Sequence, residues 1–353
     1  MARRSSKVAE RETPAAFVAP YPPSWVDGVT DWVRRLPIPW WLFYLAMGAA
    51  SVLLFTAVQA RGGAYVGGFI AWHVFLGIQP VYPLAAIHYL GREAHNALQE
   101  YQPAMDREYP MAEARYRLTV LPALPTFFAS LGGMALMVVW ILQGPSGAAE
   151  LRLSNSAFPF FAAFVLMMGL AYGPLVFFAV HQLSEVRRLY AQAAPINLYD
   201  PDPLFAFSPL TARMAVAIAF ISYGWSAGDP TTFTDPLSLF TTIATVSLAL
   251  IIFILPLWGV HRRLVAEKRR ALAQNGSRLK STTVELHRRL DAGEIVGMDD
   301  LNKALANLGL ERAHLLRVST WPWQPETLRG LVAAIGLPVV IWLIQYGLQR
   351  MLR

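Results

Sequence analysis

The chain has 353 residues, 55% of them hydrophobic and only 15% charged, with a mean hydropathy of +0.38. Soluble domains carry about a quarter charged residues, so an ordinary soluble enzyme or binding domain is excluded and a bilayer is the expected solvent. The net charge of +7 and pI of 9.7 suit a basic face against anionic lipid headgroups and call for no nucleic acid. With no cysteine, disulfides, thiolate metal sites, iron–sulfur clusters and thiol nucleophiles are excluded as well.

Residues 1–35 read as a flexible cytoplasmic tail. Arg3 and Arg4 are followed by no apolar stretch for some thirty residues, unlike a cleaved export signal. From residue 36 to 261, apolar blocks free of charge alternate with charged connectors, and each block reaches the roughly 20 residues that cross hydrocarbon. They predict helices at 38–60, 64–90, 119–143, 157–181, 209–228 and 236–261, with a seventh at 326–349. The fifth is the shortest and needs Arg213 to snorkel to the interface. Continuous apolar runs, in place of ten-residue alternation, argue against a β-barrel. The expected fold is therefore all-α and polytopic. Nearly all basic residues fall on the connectors that share a side with the N-terminus, which places that end inside and the C-terminus outside a plasma (inner) membrane.

The second, fourth and sixth spans end alike, in PLAAIHYLGREAHNAL, PLVFFAVHQLSEVRRLYAQ and PLWGVHRRLVAEKRRALAQ. Three helix pairs, each running on past the headgroups, are expected within 36–261. In the fourth-to-fifth connector, PINLYDPDPLFAFSPLTAR, Asp200 and Asp202 each precede a proline, which favours an extended or turning backbone. An interfacial loop tying the two helices together is the favoured reading, ahead of a site built on the aspartates.

Residues 262–325 read as a cytoplasmic helical hairpin. Val265, Leu272, Leu279 and Leu286 recur at seven-residue spacing, but the other heptad row holds Lys268, Asn275 and Arg289, so a self-sufficient coiled coil is not expected. Asp299 is placed to cap a second helix carrying Leu301, Leu305, Leu308 and Leu315. Trp321 and Trp323 flank Pro322 where indoles suit the headgroup layer. Residues 326–353 complete the chain as the seventh span and a short tail.

The interiors of the spans hold no Asp, Glu or Lys, which disfavours proton coupling through a carboxylate relay. His73 is the ionisable residue at depth, either a packing residue or a gate or ligand. His88, His181 and His261 close the three similar spans. They form a zinc or haem site if they converge, and otherwise act as helix-end packing residues. Thr241 and Thr245 share a helix face and, with Gln345 and His73, are candidate pathway-lining groups; Gln79 is a further polar residue in the second span. Glycine pairs at Gly62-Gly63 with Gly67-Gly68, and at Gly169 with Gly173, permit close helix contact. No HExxH, GxSxG, GxxxxGK or GxGxxG pattern occurs, so no catalytic residue and no cofactor is assigned, and an enzyme is not expected.

The segments NLYDPDPLFAFSPLTAR, PLWGVHRRLVAEK and WPWQPETLRGLVAAIGLPVVIWLIQ resemble multi-pass prokaryotic membrane proteins of unassigned function, which implies an integral membrane fold and no particular activity. In layout alone the chain is similar to insect chemoreceptor channels: seven spans, opposite termini and a helical block before the last span. That resemblance implies a pore lined by the last helix, where Gln345 is the plainly polar residue. Three functions stay open. One is a homo-oligomeric, channel-like passive transport protein. Another is a non-conducting sensor or scaffold that docks a cytoplasmic protein through 262–320. The third is a haem- or metal-binding redox subunit.

Overall fold

The computed structural model describes residues 17–61, 71–105, 110–143, 158–192, 198–199, 202–228, 236–294, 297–323, 326–334 and 336. Gly62, Gly63, Gly67, Gly68 and Gln345 lie outside these residues, as do the side chains of His73 and Thr241. Among the described residues the helices run in order: α1 (Trp25–Arg34), α2 (Trp40–Arg61), α3 (Ala71–Ile78), α4 (Tyr82–Tyr101), α5 (Met111–Thr119), α6 (Ala123–Gln143), α7 (Phe158–Ala191), α8 (Phe207–Gly228), α9 (Pro236–Asp291) and α10 (Met298–Arg317). No strand occurs among the described residues, where Pro23 and Pro122 form an isolated bridge.

Among the described residues, five helical stretches are long and apolar enough to cross a membrane: Trp40–Arg61, Ala123–Leu142, Phe158–Ala191, Asp202–Ile221 and Thr242–Asp291. Leu45, Leu53, Leu124, Leu136 and Leu142 on α2 and α6 are each more than 59% exposed; so much bare apolar surface belongs against lipid. The protein is therefore an all-α membrane protein. The expected second span is not one helix. Pro80 has no N–H to give and its ring crowds the preceding turn, so α3 stops at Ile78 and the chain turns through Gln79 N–H to the Leu76 carbonyl (3.2 Å) and Val81 N–H to the Ile78 carbonyl (3.1 Å). Pro83 then sits in the first turn of α4, where a missing N–H costs nothing. The seventh expected span is described only in its first turns, helical over 326–334.

Packing is tightest where side chains vanish. A methyl group added at Gly169 would lie 2.5 Å from the Gly133 carbonyl oxygen, and one at Gly173 would collide with the Ala129 carbonyl. Glycine thus lets α6 and α7 meet backbone to backbone, a source of dispersion energy in lipid, where apolar burial gives little. At the α2–α3 crossing, a Cβ on Gly77 would lie 2.6 Å from Val52 Cα. The core runs from α4 through α7 and α8 to α9, with Leu90, Leu175, Phe178, Phe207, Ile218 and Leu257 fully or almost fully buried.

Contacts gather one end of the bundle. Tyr101 at the end of α4 packs on Tyr190 of α7 and on Phe207 of α8. The Arg263 guanidinium of α9 donates to the Tyr190 carbonyl, and the α7–α8 connector reaches the hairpin when Tyr199 donates to Glu311 (3.0 Å). The starts of α2, α6 and α8 lie at this same end. Part of the expected tail lies here too, folded: Ser24 and Asp27 form a capping box that starts α1, and the Asp27 carboxylate also accepts the Leu121 N–H (3.1 Å). Arg213 does not reach outward alone; it pairs with Glu93 of α4.

Candidate functional site

Three histidines end up in three separate aromatic settings at this end of the molecule. His88, 1% exposed, stacks on Trp40 (5.1 Å between centroids), and its Nδ1 shares a hydrogen bond with the Tyr44 hydroxyl at 3.4 Å. His181 donates from Nε2 to the Arg117 carbonyl (2.9 Å) and stacks on Phe177. His261 donates from Nδ1 to the Thr320 carbonyl (2.9 Å) and stacks on Trp321 at 3.8 Å. Their neighbours belong to α2, to the α5–α6 junction and to the segment after α10, and no group of three metal-ligating side chains forms among the described residues. The sequence repeat therefore reflects three helix exits, with each imidazole fixed by its own neighbours.

His73 and Thr241 lie on α3 and α9, and Thr245 is half-buried on α9. Gln79 is fully buried, and its Oε1 accepts from the Tyr172 hydroxyl of α7. Next to it, Tyr82 donates to the Ala217 carbonyl of α8 at 2.8 Å. These bonds stitch the broken α3–α4 region to the central helices, while Gln79 Nε2 stays buried without a partner.

The hairpin is held by the residues that spoil its heptad. Lys268 donates to the Leu316 and Val318 carbonyls (2.8 Å each), neutralising the C-terminal end of α10. Asn275, 1% exposed, donates to the Leu308 carbonyl (3.0 Å) and to Glu311 (2.9 Å). Half-buried Val265, Leu272, Leu279 and Leu286 fill in beside them. Asp299 is not the cap of α10: Gly297, with φ +81°, makes the turn, and Asp299 in the first turn pairs with Lys303 at 2.6 Å. Trp321 and Trp323 stack on each other at 4.2 Å, between His261 on one side and Phe253 on the other. This ladder fastens the hairpin's return to the membrane part of α9.

Sequence reasoning passed over a basic cleft of about 440 Å³ between α1, α2, α4 and α5, into which Arg34, Arg92, Arg115, His88 and His95 all face. Burial, then the charge of Arg115, pushes the His95 imidazole below its ordinary value. No linear pattern marks this cleft, because its cations come from three helices far apart in sequence. Comparison with known proteins returns no matching family model, no matching curated protein and no matching solved structure.

Proposed function

We propose that this protein is a non-conducting membrane sensor or scaffold, which holds a rigid helical hairpin on the cytoplasmic surface for a protein partner. The observation that carries this reading is the hairpin itself. Its inner face is locked by Lys268, Asn275 and the tryptophan ladder, yet Leu310 and Leu316 of α10 stay 70% and 57% exposed. Exposed leucines on an otherwise charged hairpin suit recognition by a second apolar face. A photo-reactive residue at position 310, activated in cells, is expected to yield one discrete heavier adduct that disappears with Leu316→Asp. A diffuse ladder of adducts, or none, would contradict the proposal.

A second reading, passive conduction by a homo-oligomer, is favoured by the break between α3 and α4. Interrupted helices near buried polar groups commonly flank permeation sites in transporters, and Gln79, Tyr82 and Tyr172 surround this one. Flux of ions or small solutes from liposomes holding the purified protein, lost on Gln79→Leu, would support it and displace the scaffold reading.

A further inference from the structure

Two imidazole nitrogens at the basic cleft are buried without a partner: Nε2 of His88 and Nδ1 of His95. The other nitrogen of each ring lies near a polar group, His88 Nδ1 at 3.4 Å from the Tyr44 hydroxyl and His95 Nε2 at 3.3 Å from the Gln99 amide nitrogen. In the tautomers that carry the hydrogen on the unpartnered atom, His88 Nε2 and His95 Nδ1 are N–H donors, and a buried donor without an acceptor is costly. An acceptor in the cleft relieves that cost.

The charges around these donors have one sign. Arg34 comes from α1, Arg92 from α4 and Arg115 from α5. Among nearby carboxylates, Asp31 pairs with Arg34 at the rim (2.9 Å), Glu93 is taken by Arg213, and Glu113 is held by Arg117 (2.6 Å). The Arg92 guanidinium lies 5.6 Å from the Trp40 ring centroid, a cation–π contact that fixes its position and leaves its edge N–H groups for a ligand. Several guanidiniums on one small volume match a multiply charged tetrahedral oxyanion better than a carboxylate, because forked donors engage two oxygens each. The cleft opens beside Ile38 and Trp40, where α2 enters its apolar stretch.

We propose that the cleft between α1, α2, α4 and α5 binds a phosphate-bearing anion, supplied either by a phospholipid headgroup or by a soluble phosphate compound. This stands independently of the docking role of the hairpin.

The test uses the full chain in neutral detergent and phosphate-free buffer, titrated calorimetrically with inorganic phosphate and, separately, with micelles of short-chain phosphatidic acid. Three proteins are compared: the unaltered chain, Arg92→Gln/Arg115→Gln, and Asn96→Asp. The last removes no ion pair; it adds a carboxylate at an exposed rim position and keeps the test decisive if the double variant fails to fold. Saturable binding weakened at least tenfold by the variants is expected. Binding of both titrants assigns a site open to soluble phosphates, binding of phosphatidate alone assigns the headgroup source, and binding of inorganic phosphate alone assigns the soluble one. Absence of saturable binding to both, or equal binding by the unaltered chain and Asn96→Asp, overturns the proposal.

Discussion

Replacing Asn275 by alanine is expected to loosen the hairpin while leaving the bundle intact. The change deletes a neutral hydrogen bond to the Leu308 carbonyl and a charge-assisted one to Glu311, together worth about 3 kcal/mol. Against that, the Asn275 Oδ1 is buried without a partner, so its removal returns about 1 kcal/mol, and alanine's helix propensity returns about 0.5 kcal/mol more. The net loss of about 1.5 kcal/mol corresponds to roughly a tenfold larger open fraction. Hydrogen exchange followed by mass spectrometry on the full chain in detergent should show peptides of α10 exchanging about tenfold faster, with the α6–α7 crossing unchanged. Asn275→Asp, nearly identical in shape, should exchange faster still, because it sets a second carboxylate against Glu311. Unchanged exchange in α10, or equal acceleration throughout the bundle, would refute this account of the hairpin.

Substituting Gly173 by isoleucine drives a branched side chain into the backbone at Ala129 and Ser130; a loss of about 3 kcal/mol or failure to fold is expected, since backbone cannot yield as a side chain does. Gly132→Ala on α6 meets nothing within 4 Å and should leave thermal unfolding in detergent unchanged or slightly raised, so equal losses at both sites would remove the close-crossing argument. Asp27 gives a pH test. Burial raises its carboxyl above 3.8, outweighing the hydrogen bonds from Ser24 and Leu121 that favour the charged form, so its contribution to stability is full below about 3.8 and declines as pH climbs through the raised value. Asp27→Asn keeps an oxygen for the same donors and carries no charge; its stability advantage over the unaltered chain should grow between pH 4 and 7, and a pH-independent difference would contradict the assignment. Asp27→Ala, which loses the acceptor altogether, should cost about 2 kcal/mol near pH 4 and less toward pH 7. Trp321→Ala breaks the stack between His261 and Trp323 and is expected to raise proteolytic cleavage after α10, which equal cleavage in both proteins would rule out.

Much of the helical plan is legible in the chain because hydrocarbon imposes length and charge exclusion on each block separately. The long apolar helices of the described residues follow from that alone, and the uninterrupted course of α7 through His181 and of α9 through His261 follows from the lack of glycine and proline in HQLSEVRRLYA and HRRLVAEKRRALAQ, with Pro174, Pro256 and Gly259 carried within the helices. Pro80 is different. Membrane helices tolerate proline when neighbours satisfy the freed groups, so the break at Gln79–Val81 also depends on Tyr172 of α7 and the Ala217 carbonyl of α8, which no local pattern announces. Ser24 and Asp27 did carry a local signal, the spacing of a capping box, though their partner at Leu121 lies far along the chain. Lys268 and Asn275 look like faults in a heptad because periodicity along one helix says nothing of the carbonyls another helix presents. The three histidines share a pattern and no site, since each imidazole's bonds are set by its own surroundings. The basic cleft has no signature at all: Arg34, Arg92 and Arg115 become neighbours only through the packing of α1, α4 and α5.

The central claim is that apolar helices carry this chain across a bilayer and gather α1 and the hairpin at one surface. Because the chain has no cysteine, single cysteines at Ala19, Ser281 and Ser146 report their compartments without background. Membrane-impermeant maleimide applied to sealed inside-out vesicles should label positions 19 and 281 and spare 146, and intact cells stripped of their outer barrier should show the reverse. Labelling of Ser281 and Ser146 from the same side, or a chain that stays dissolved without detergent, would contradict the account.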